Sequence, residues 1–364
     1  EGWKNIEEVN KTSGKLPEVF YILVLIFLSE SVKLRKKEET MCTAISFVGK
    51  NHYFGRNLDL NYELPLNLVV VPRNYPIAFK ALETREKHYA LYGVGRIQDN
   101  YPFFFDVANE VGLSFAGLNF PGFAYFGDKK DSKLNLAPYE LPLYLLAKYK
   151  SVKEVKEALK GIYLANLPFS KNLPVATLHF IRADKEDCIV IEQTKDGRKV
   201  YDNPYRVLTN NPTFDYHRYN INNYRNLTNQ EPVNRFSSNL PLSAYGKARG
   251  AIGLPGDSSP SSRFVKESFL LQNTVKYEDE DKNISTAFHL LNSVSTLIGE
   301  SQRQNGSYEY TIYSSIYSLD EKRLYIKTYA NSTLQRYSLM KENLDGKELI
   351  CHSISVEANY QDIN

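Results

Sequence analysis

Runs of alternating apolar and polar positions, rich in β-branched and aromatic residues and bounded by turn formers, recur along most of the chain. They predict strands over residues 43–48, 52–56 and 68–72, then 89–94, 113–118, 176–182 and 188–193. Near the C-terminus, strands over 308–318 and 323–329 flank Leu319-Asp320-Glu321-Lys322, which reads as a hairpin connection. Helical patterns are fewer. Ser151-Val152-Lys153-Glu154 has the form of a capping box, and Val152, Val155 and Leu159 follow at helical spacing before a stop at Gly161. Residues 138–149, 262–271 and 285–294 predict three more helices, the last with Ala287, Leu290, Leu291 and Val294 on one face. Strands, then helices, then strands again predict an α+β domain in which stacked sheets carry helices on the outside.

Composition narrows the function classes. With 42% hydrophobic and 13% aromatic residues, the chain has ample material for a core and is not generally disordered. No repeat or linker divides it, so residues 42–364 read as a single domain. The balance of 45 Lys+Arg against 42 Asp+Glu gives a net charge of +3, too small and too evenly spread to attract nucleic acid. Three cysteines make no disulfide framework and point to a reducing compartment. Six histidines without paired spacing predict no metal site, and no glycine loop of phosphate-cradling form is present, so no cofactor is expected. Cys188, within Cys-Ile-Val-Ile, is expected to be buried and inert.

The first forty residues do not match the rest. Their seven Lys/Arg and seven Glu cancel, and the apolar run over 19–28 is ten residues, short of the roughly 20 that span a bilayer. Acidic Glu7, Glu8 and Glu18 precede that run and no small-x-small pattern follows it, which argues against a secretory signal. The tract Lys36-Lys37-Glu38-Glu39-Thr40 before Met41 is what in-frame translation of a purine-rich ribosome-binding site would produce. The expectation is that residues 1–41 are upstream translation, or a removed leader, together with the initiator Met. With no credible targeting segment, a cytoplasmic enzyme without stable membrane association is expected.

Met41-Cys42-Thr43 carries the sharpest chemistry. Methionine is removed when the next residue is small, which would leave Cys42 with a thiol and a free α-amine on one residue. An α-amine of pKa about 7.7–8.0 suits a general base near neutral pH. A thiol with its own base is an activated nucleophile. Cys42 taken alone also reads as the start of a strand. Its neighbours favour chemistry: Gly55-Arg56-Asn57-Leu58-Asp59 sits on the next strand of a hairpin, which turns Arg56 and Asp59 back toward Cys42. A guanidinium beside a thiol favours thiolate, and a carboxylate near an α-ammonium orients it.

Cys42-Thr43-Ala44 followed by Phe54-Gly55-Arg56-Asn57-Leu58-Asp59 resembles the choloylglycine hydrolase family of N-terminal nucleophile hydrolases. Three later segments extend the resemblance: Ala116-Gly117-Leu118-Asn119-Phe120-Pro121, Leu208-Thr209-Asn210-Asn211-Pro212-Thr213-Phe214-Asp215, and Gly253-Leu254-Pro255-Gly256-Asp257 leading to Ser261-Ser262-Arg263-Phe264. It runs from Met41 nearly to the C-terminus and does not touch residues 1–40. The resemblance implies a four-layer αββα sandwich with Cys42 as nucleophile, Arg56 as the thiol-side cation and Asp59 holding the α-amine. It further implies Asn210 as side-chain donor to an oxyanion hole, Asn119 at its backbone donor, and Arg263 in the charge network around the nucleophile. Taken singly, Asn119 and Asn210 also read as turn residues next to proline.

The family has two main branches, bile salt hydrolases and penicillin V acylases. Asn119 stands where the first carries Asn and the second usually Tyr, so the resemblance implies hydrolysis of glycine- or taurine-conjugated bile salts through a thioester at Cys42. Leu58, Ile97 and the loop over 120–126, with Phe123 and Phe126, lie where the family lines its acyl pocket; Phe103-Phe104-Phe105 reads as ordinary core. The alternatives are an acylase for penicillin V or acyl-homoserine lactones, and an inactive binding protein that retains the N-terminal segment. A homotetramer is implied by resemblance alone. A chain that keeps residues 1–40 has no free amine on Cys42 and is expected to be inactive. Intact mass of protein from its native host tests this, and an active species that retains the segment would overturn it.

Overall fold

The computed structural model describes residues 40–364, and the predicted leader up to residue 39, with its apolar run, lies outside them. The chain opens with a hairpin of β1 (Cys42–Val48) and β2 (His52–Leu60). A meander follows through β3 (Asn67–Val71), β4 (Leu91–Gln98), β5 (Tyr101–Asn109) and β6 (Ser114–Asn119). Short β7 (Leu134–Leu136) leads into helices α1 (Leu141–Lys148) and α2 (Val152–Leu159), and β8 (Ile162–Leu164) pairs back on β7 in parallel. Then come β9 (Leu178–Ala183), β10 (Cys188–Thr194), β11 (Gly197–Asp202), β12 (Val207–Leu208) and helix α3 (Phe214–Asn220). Helices α4 (Pro260–Asn273) and α5 (Glu280–Ser293) precede β13 (Ser301–Gln302), β14 (Tyr308–Ser318), β15 (Arg323–Thr328), β16 (Gln335–Ser338) and β17 (Ile350–Ser353).

Two sheets result. The first runs β12-β1-β2-β14-β15-β16, with β13 also paired to β14, and the second runs β11-β10-β9-β6-β5-β4-β3-β17. Helices α4 and α5 lie on the first sheet, and α1 lies on the second with α2 beside it. One apolar cluster fills the space between the sheets and beneath α4 and α5, drawing on Phe54, Tyr92, Leu118, Ile181 and Tyr317. The other lies between the second sheet and α1 and α2, around Phe115, Leu145, Val155 and Phe180. The order α, β, β, α is the four-layer sandwich expected, and each sheet buries both faces.

Most predicted elements are present, with shifted ends. Strand β2 continues past residue 56 to Leu60, which carries Asp59 into the ladder. The helix expected over 285–294 begins at Glu280, where the Asp279 side chain accepts the Lys282 N–H as N-cap. The helix expected over 138–149 opens with a 3-10 turn over Pro138–Glu140. Strand β5 was not predicted: Pro102 near its start and the unbroken Phe103-Phe104-Phe105 obscure the alternation. Phe103 and Phe104 pack, partly buried, against the outer cluster and Phe105 against the inner one, at the edge of the core rather than within it. Cys188 is buried, and burial pushes its thiol up to about 12, out of reach of thiolate chemistry at neutral pH. No helix among the described residues is long and apolar enough to cross a membrane.

The contact of α4 with α5 buries a carboxyl group. Glu267 is fully buried, accepts a hydrogen bond from Ser293 Oγ at 3.2 Å, and is pushed by burial up to about 7. A carboxyl whose pKa is raised on folding binds more protons folded than unfolded, so its contribution is fully present below about 4.5 and is lost as pH rises through 7. Glu267→Gln should therefore raise the unfolding temperature at pH 8 and change it little at pH 5. Thermal unfolding of both proteins at the two pH values checks this.

Candidate active site

Successive strand residues face opposite sides of a sheet, and the hairpin uses this to surround Cys42. Cys42 lies opposite Leu58, Thr43 opposite Asn57, and Ala44 opposite Arg56. Cys42, Leu58 and Arg56 therefore face the second sheet, whereas Thr43, Asn57 and Asp59 face α5. Asn57 Nδ2 accordingly donates to the Leu291 carbonyl on α5 at 2.7 Å. Gly55 lies under close neighbours: a Cβ there would stand 2.4 Å from Ile316 Cδ1 and 3.0 Å from the Ser315 carbonyl oxygen.

On the inner face, Arg56 donates through Nη2 to Cys42 Sγ at 3.0 Å and through Nη1 to the Phe105 carbonyl. Asp106 is buried close by and accepts from Tyr313 OH, from Ser315 Oγ at 2.9 Å and from Tyr317 OH at 2.8 Å. Burial lowers the Arg56 pKa, but the fields of Cys42, Tyr313 and Asp106 outweigh it and the net direction is upward. Burial raises the Asp106 carboxyl, opposed by Arg56 and the three hydroxyls. Negative charge on sulfur is thus met by a cation that is itself firmly held.

On the other face, Thr311 Oγ1 donates to Asp59 Oδ1 at 2.6 Å. Burial pushes Asp59 up to about 6, against the pull of Arg263 and the Thr311 hydrogen bond. Thr311 and Tyr313 would face the same side of a regular strand. The β2–β14 register shifts between them, so that Thr311 pairs with Asp59 and Tyr313 with Leu58. One bulge lets β14 serve both faces of the site.

Three further segments close on Cys42. Arg263 stands in the first turn of α4, whose N-cap Ser259 and neighbour Ser262 are tied to Asp257. It donates to the Cys42 carbonyl at 2.5 Å, Thr43 Oγ1 at 2.6 Å and Asn210 Oδ1 at 3.0 Å. Asn210, just past β12, accepts the Cys42 N–H on Oδ1 at 2.6 Å and donates through Nδ2 to the Asn119 carbonyl at 2.9 Å. Its amide nitrogen carries two hydrogens, so one donor is left for a substrate oxygen. Asp59 is tied to the chain just before Cys42, its main-chain N–H donating to the Met41 carbonyl at 3.1 Å.

The six expected chemical residues are thereby assembled: Cys42, Arg56, Asn119, Asn210 and Arg263 through side-chain bonds, and Asp59 through the main chain. The expected pocket residues are more dispersed. Leu58 adjoins Cys42 as its cross-strand partner, and Phe123 is partly exposed and stacks on Phe120 with centroids 5.3 Å apart. Ile97 sits near the turn of the β4–β5 hairpin opposite Pro102, and Phe126 packs on the outer cluster. Sequence reasoning missed Asp106, Thr311 and Tyr313. Asp106 had a usable signal, since a carboxylate between Phe105 and Val107 in an apolar run must find partners. Thr311 and Tyr313 had none, because their roles depend on the bulge. Among the described residues, no three His, Cys, Asp or Glu converge as a metal site.

Residues 42–352 match the sequence model of the linear amide C–N hydrolases, choloylglycine hydrolase family. A bile salt hydrolase/transferase from Lactiplantibacillus plantarum is 44% identical over 326 residues, covering 89% of this chain and 100% of that protein. A crystal structure of a variant of the conjugated bile acid hydrolase from Clostridium perfringens superposes with TM-score 0.81 at 36% identity, over 89% of this chain and 100% of that one. Penicillin V acylase from Agrobacterium tumefaciens shares the fold at TM-score 0.67 and 20% identity, over 87% of this chain and 94% of that one.

Removing the Asp106 charge while Arg56 stays buried should be costly. Asp106→Leu is expected to lower the unfolding free energy by about 3–5 kcal/mol, as when one partner of a buried pair is lost. Asp106→Asn, which can still meet the hydroxyls, should cost less and yet slow alkylation of Cys42 by iodoacetamide at pH 7. Denaturant unfolding and alkylation rates check both.

Proposed function

This chain belongs to the choloylglycine hydrolase family of linear amide C–N hydrolases, and we propose that it is a bile salt hydrolase whose working chain begins at Cys42. The substrate is a bile acid joined through an amide to glycine or taurine. The observation that carries the reading is the 3.0 Å contact of Arg56 with Cys42 Sγ, on a residue whose nitrogen is held by Asn210. Relatives at 37–44% identity that carry bile salt hydrolase names span 86–89% of this chain, which supports the substrate class.

The thiolate of Cys42 attacks the amide carbonyl and a tetrahedral oxyanion forms. Asn210 Nδ2 and the backbone N–H of Asn119 hold that oxyanion; losing one such donor typically costs about 2.7–4 kcal/mol of transition-state stabilisation. The Cys42 α-amine takes the thiol proton and passes it to the leaving nitrogen, while Asp59 orients the amine. The C–N bond breaks, glycine or taurine departs, and the acyl group remains as a thioester on Sγ. Water then attacks the thioester, with the same amine as base, and the free bile acid leaves. A peptide nitrogen has no basic lone pair, so the cycle needs residue 41 removed. Arg56 stabilises negative charge on sulfur, and Arg263 keeps Asn210 and the Cys42 main chain in register. Leu58, the cross-strand partner of Cys42, contributes apolar wall to the acyl side, whereas Phe126 packs on the outer cluster instead. The enzyme works in the cytoplasm as a homotetramer, without cofactor.

A penicillin V acylase is the second reading, and Asn119 in place of a tyrosine disfavours it. Protein verified to begin at Cys42 is incubated with glycocholate, taurocholate and penicillin V, and the released amines are quantified. Release from the bile salts is expected, and turnover of penicillin V alone would defeat the assignment. Cys42→Ser should reduce turnover at least about 10³-fold, in the range seen on removing a catalytic nucleophile. A serine variant with full activity would overturn the mechanism.

A further inference from the structure

The two donors assigned above to the oxyanion hole lie on different sheets. Asn119 ends β6 of the second sheet, and Asn210 follows β12 of the first. Backbone ladders set distances within a sheet, and none joins these two residues. Two side-chain bonds already cross between these segments, Asn210 Nδ2 to the Asn119 carbonyl and Asn211 Nδ2 to the Pro121 carbonyl at 2.9 Å, and an oxyanion hole works best when both donors are already aimed.

His179 stands between them. It lies on β9, paired across the ladder with Leu118, and it is fully buried on the inner face. Its Nε2 is 2.8 Å from the carbonyl of Thr209, the residue before Asn210. Its ring stacks on Phe120, the residue after Asn119, with centroids 4.2 Å apart and planes at 6°. One imidazole therefore touches both flanks of the hole without occupying it. The ring is fixed in turn by Glu192 on β10, whose Oε1 lies 3.1 Å from Nδ1 and also accepts the Phe214 N–H at 2.9 Å. A carbonyl only accepts, so Nε2 carries a proton and donates to Thr209. Nδ1 and Glu192 Oε1 lie within hydrogen-bond distance on the other side of the ring. From the far side His217 Nε2 donates to the Asn210 carbonyl at 3.1 Å, so both peptide carbonyls of the Thr209-Asn210 segment are held by imidazoles.

We propose that His179, clamped by Glu192, is a positioning residue that fixes the spacing of Asn119 and Asn210 across the gap between the sheets. It touches no reacting atom and acts through the two asparagines. The inference rests on the acyl-transfer reading, in which those two residues hold the oxyanion.

The test is a double-mutant cycle on protein that begins at Cys42, with glycocholate as substrate. His179→Phe keeps the stacking surface and removes both hydrogen bonds. It should lower kcat about 10- to 100-fold, the scale expected when a reacting group is displaced by about an ångström. KM should stay within about threefold, because the oxyanion forms only in the transition state. His179→Gln, which can still donate to Thr209, should recover much of the loss. In an Asn210→Ala background, His179→Phe should cost little more, since the group it positions is gone. A loss in kcat that multiplies fully with that of Asn210→Ala, or one that appears in KM alone, would overturn the inference and leave the mechanism standing. An Asn210→Ala protein with undiminished kcat would instead overturn the oxyanion assignment itself. Should His179→Phe fail to fold, Phe120→Leu carries the same comparison against Asn210→Ala.

Discussion

A guanidinium buried between two apolar sheets is stable only if charge and hydrogen-bond acceptors meet it there, and much of this molecule is arranged around Arg56 for that reason. The residue is 2% exposed, and an uncompensated charge at such depth costs several kcal/mol. Its partners are the Cys42 sulfur, the Phe105 carbonyl and the field of Asp106. Asp106 is a second buried charge and needs partners of its own, which Tyr313, Ser315 and Tyr317 supply from β14. The sulfur is the one member of this group that gains or loses charge during the proposed reaction. Under the proposed mechanism, compensation of the buried guanidinium and stabilisation of a negative sulfur are one arrangement.

That arrangement is divided between the faces of a sheet by simple periodicity. Arg56 and Asp59 are three apart on β2, an odd spacing, and so take opposite faces. The sulfur of Cys42 and the Asp59 carboxylate thus lie on opposite faces of the sheet, although the Arg56 field still reaches Asp59. A regular β14 could serve only one of those faces with Thr311 and Tyr313. The bulge between them changes the parity, and a single strand then donates to Asp59 on one side and to Asp106 on the other. The helices contribute in the same economical way: α4 delivers Arg263 from its first turn, and three of its donor atoms collect the Cys42 carbonyl, the Thr43 hydroxyl, Asn210 and the Ser258 carbonyl into one unit.

The parts of this design that live in short sequence spans were legible in the sequence. Strand alternation gave β1, β3, β10 and β14 close to their observed bounds, and the Ser151 capping box marked α2. Cys42 was legible from its place after Met41 and Arg56 from the hairpin that returns it to Cys42, whereas Asn210 and Arg263 entered only through the family resemblance. What was not legible depends on register. Tyr313 becomes a partner of Asp106 only through a bulge, and His179 matters only because β9 lies between β6 and β10 while facing β12 across the sandwich. Spacing along the chain contains neither fact. Strand β5 was hidden for a different reason, since a strand with both faces covered shows no alternation.

The last constraint concerns the nitrogen of Cys42. As a peptide nitrogen it has one hydrogen, and Asn210 Oδ1 takes it at 2.6 Å. A free ammonium at the same atom would bring three hydrogens and would need two more acceptors. The buried Asp59 carboxyl group is held by Thr311 at Oδ1, and Thr296 also hydrogen-bonds it. Under the proposed mechanism Cys42 begins the working chain, and the Asp59 carboxyl group, which lies next to this segment through its main-chain bond to Met41, is the proposed acceptor for the two added hydrogens.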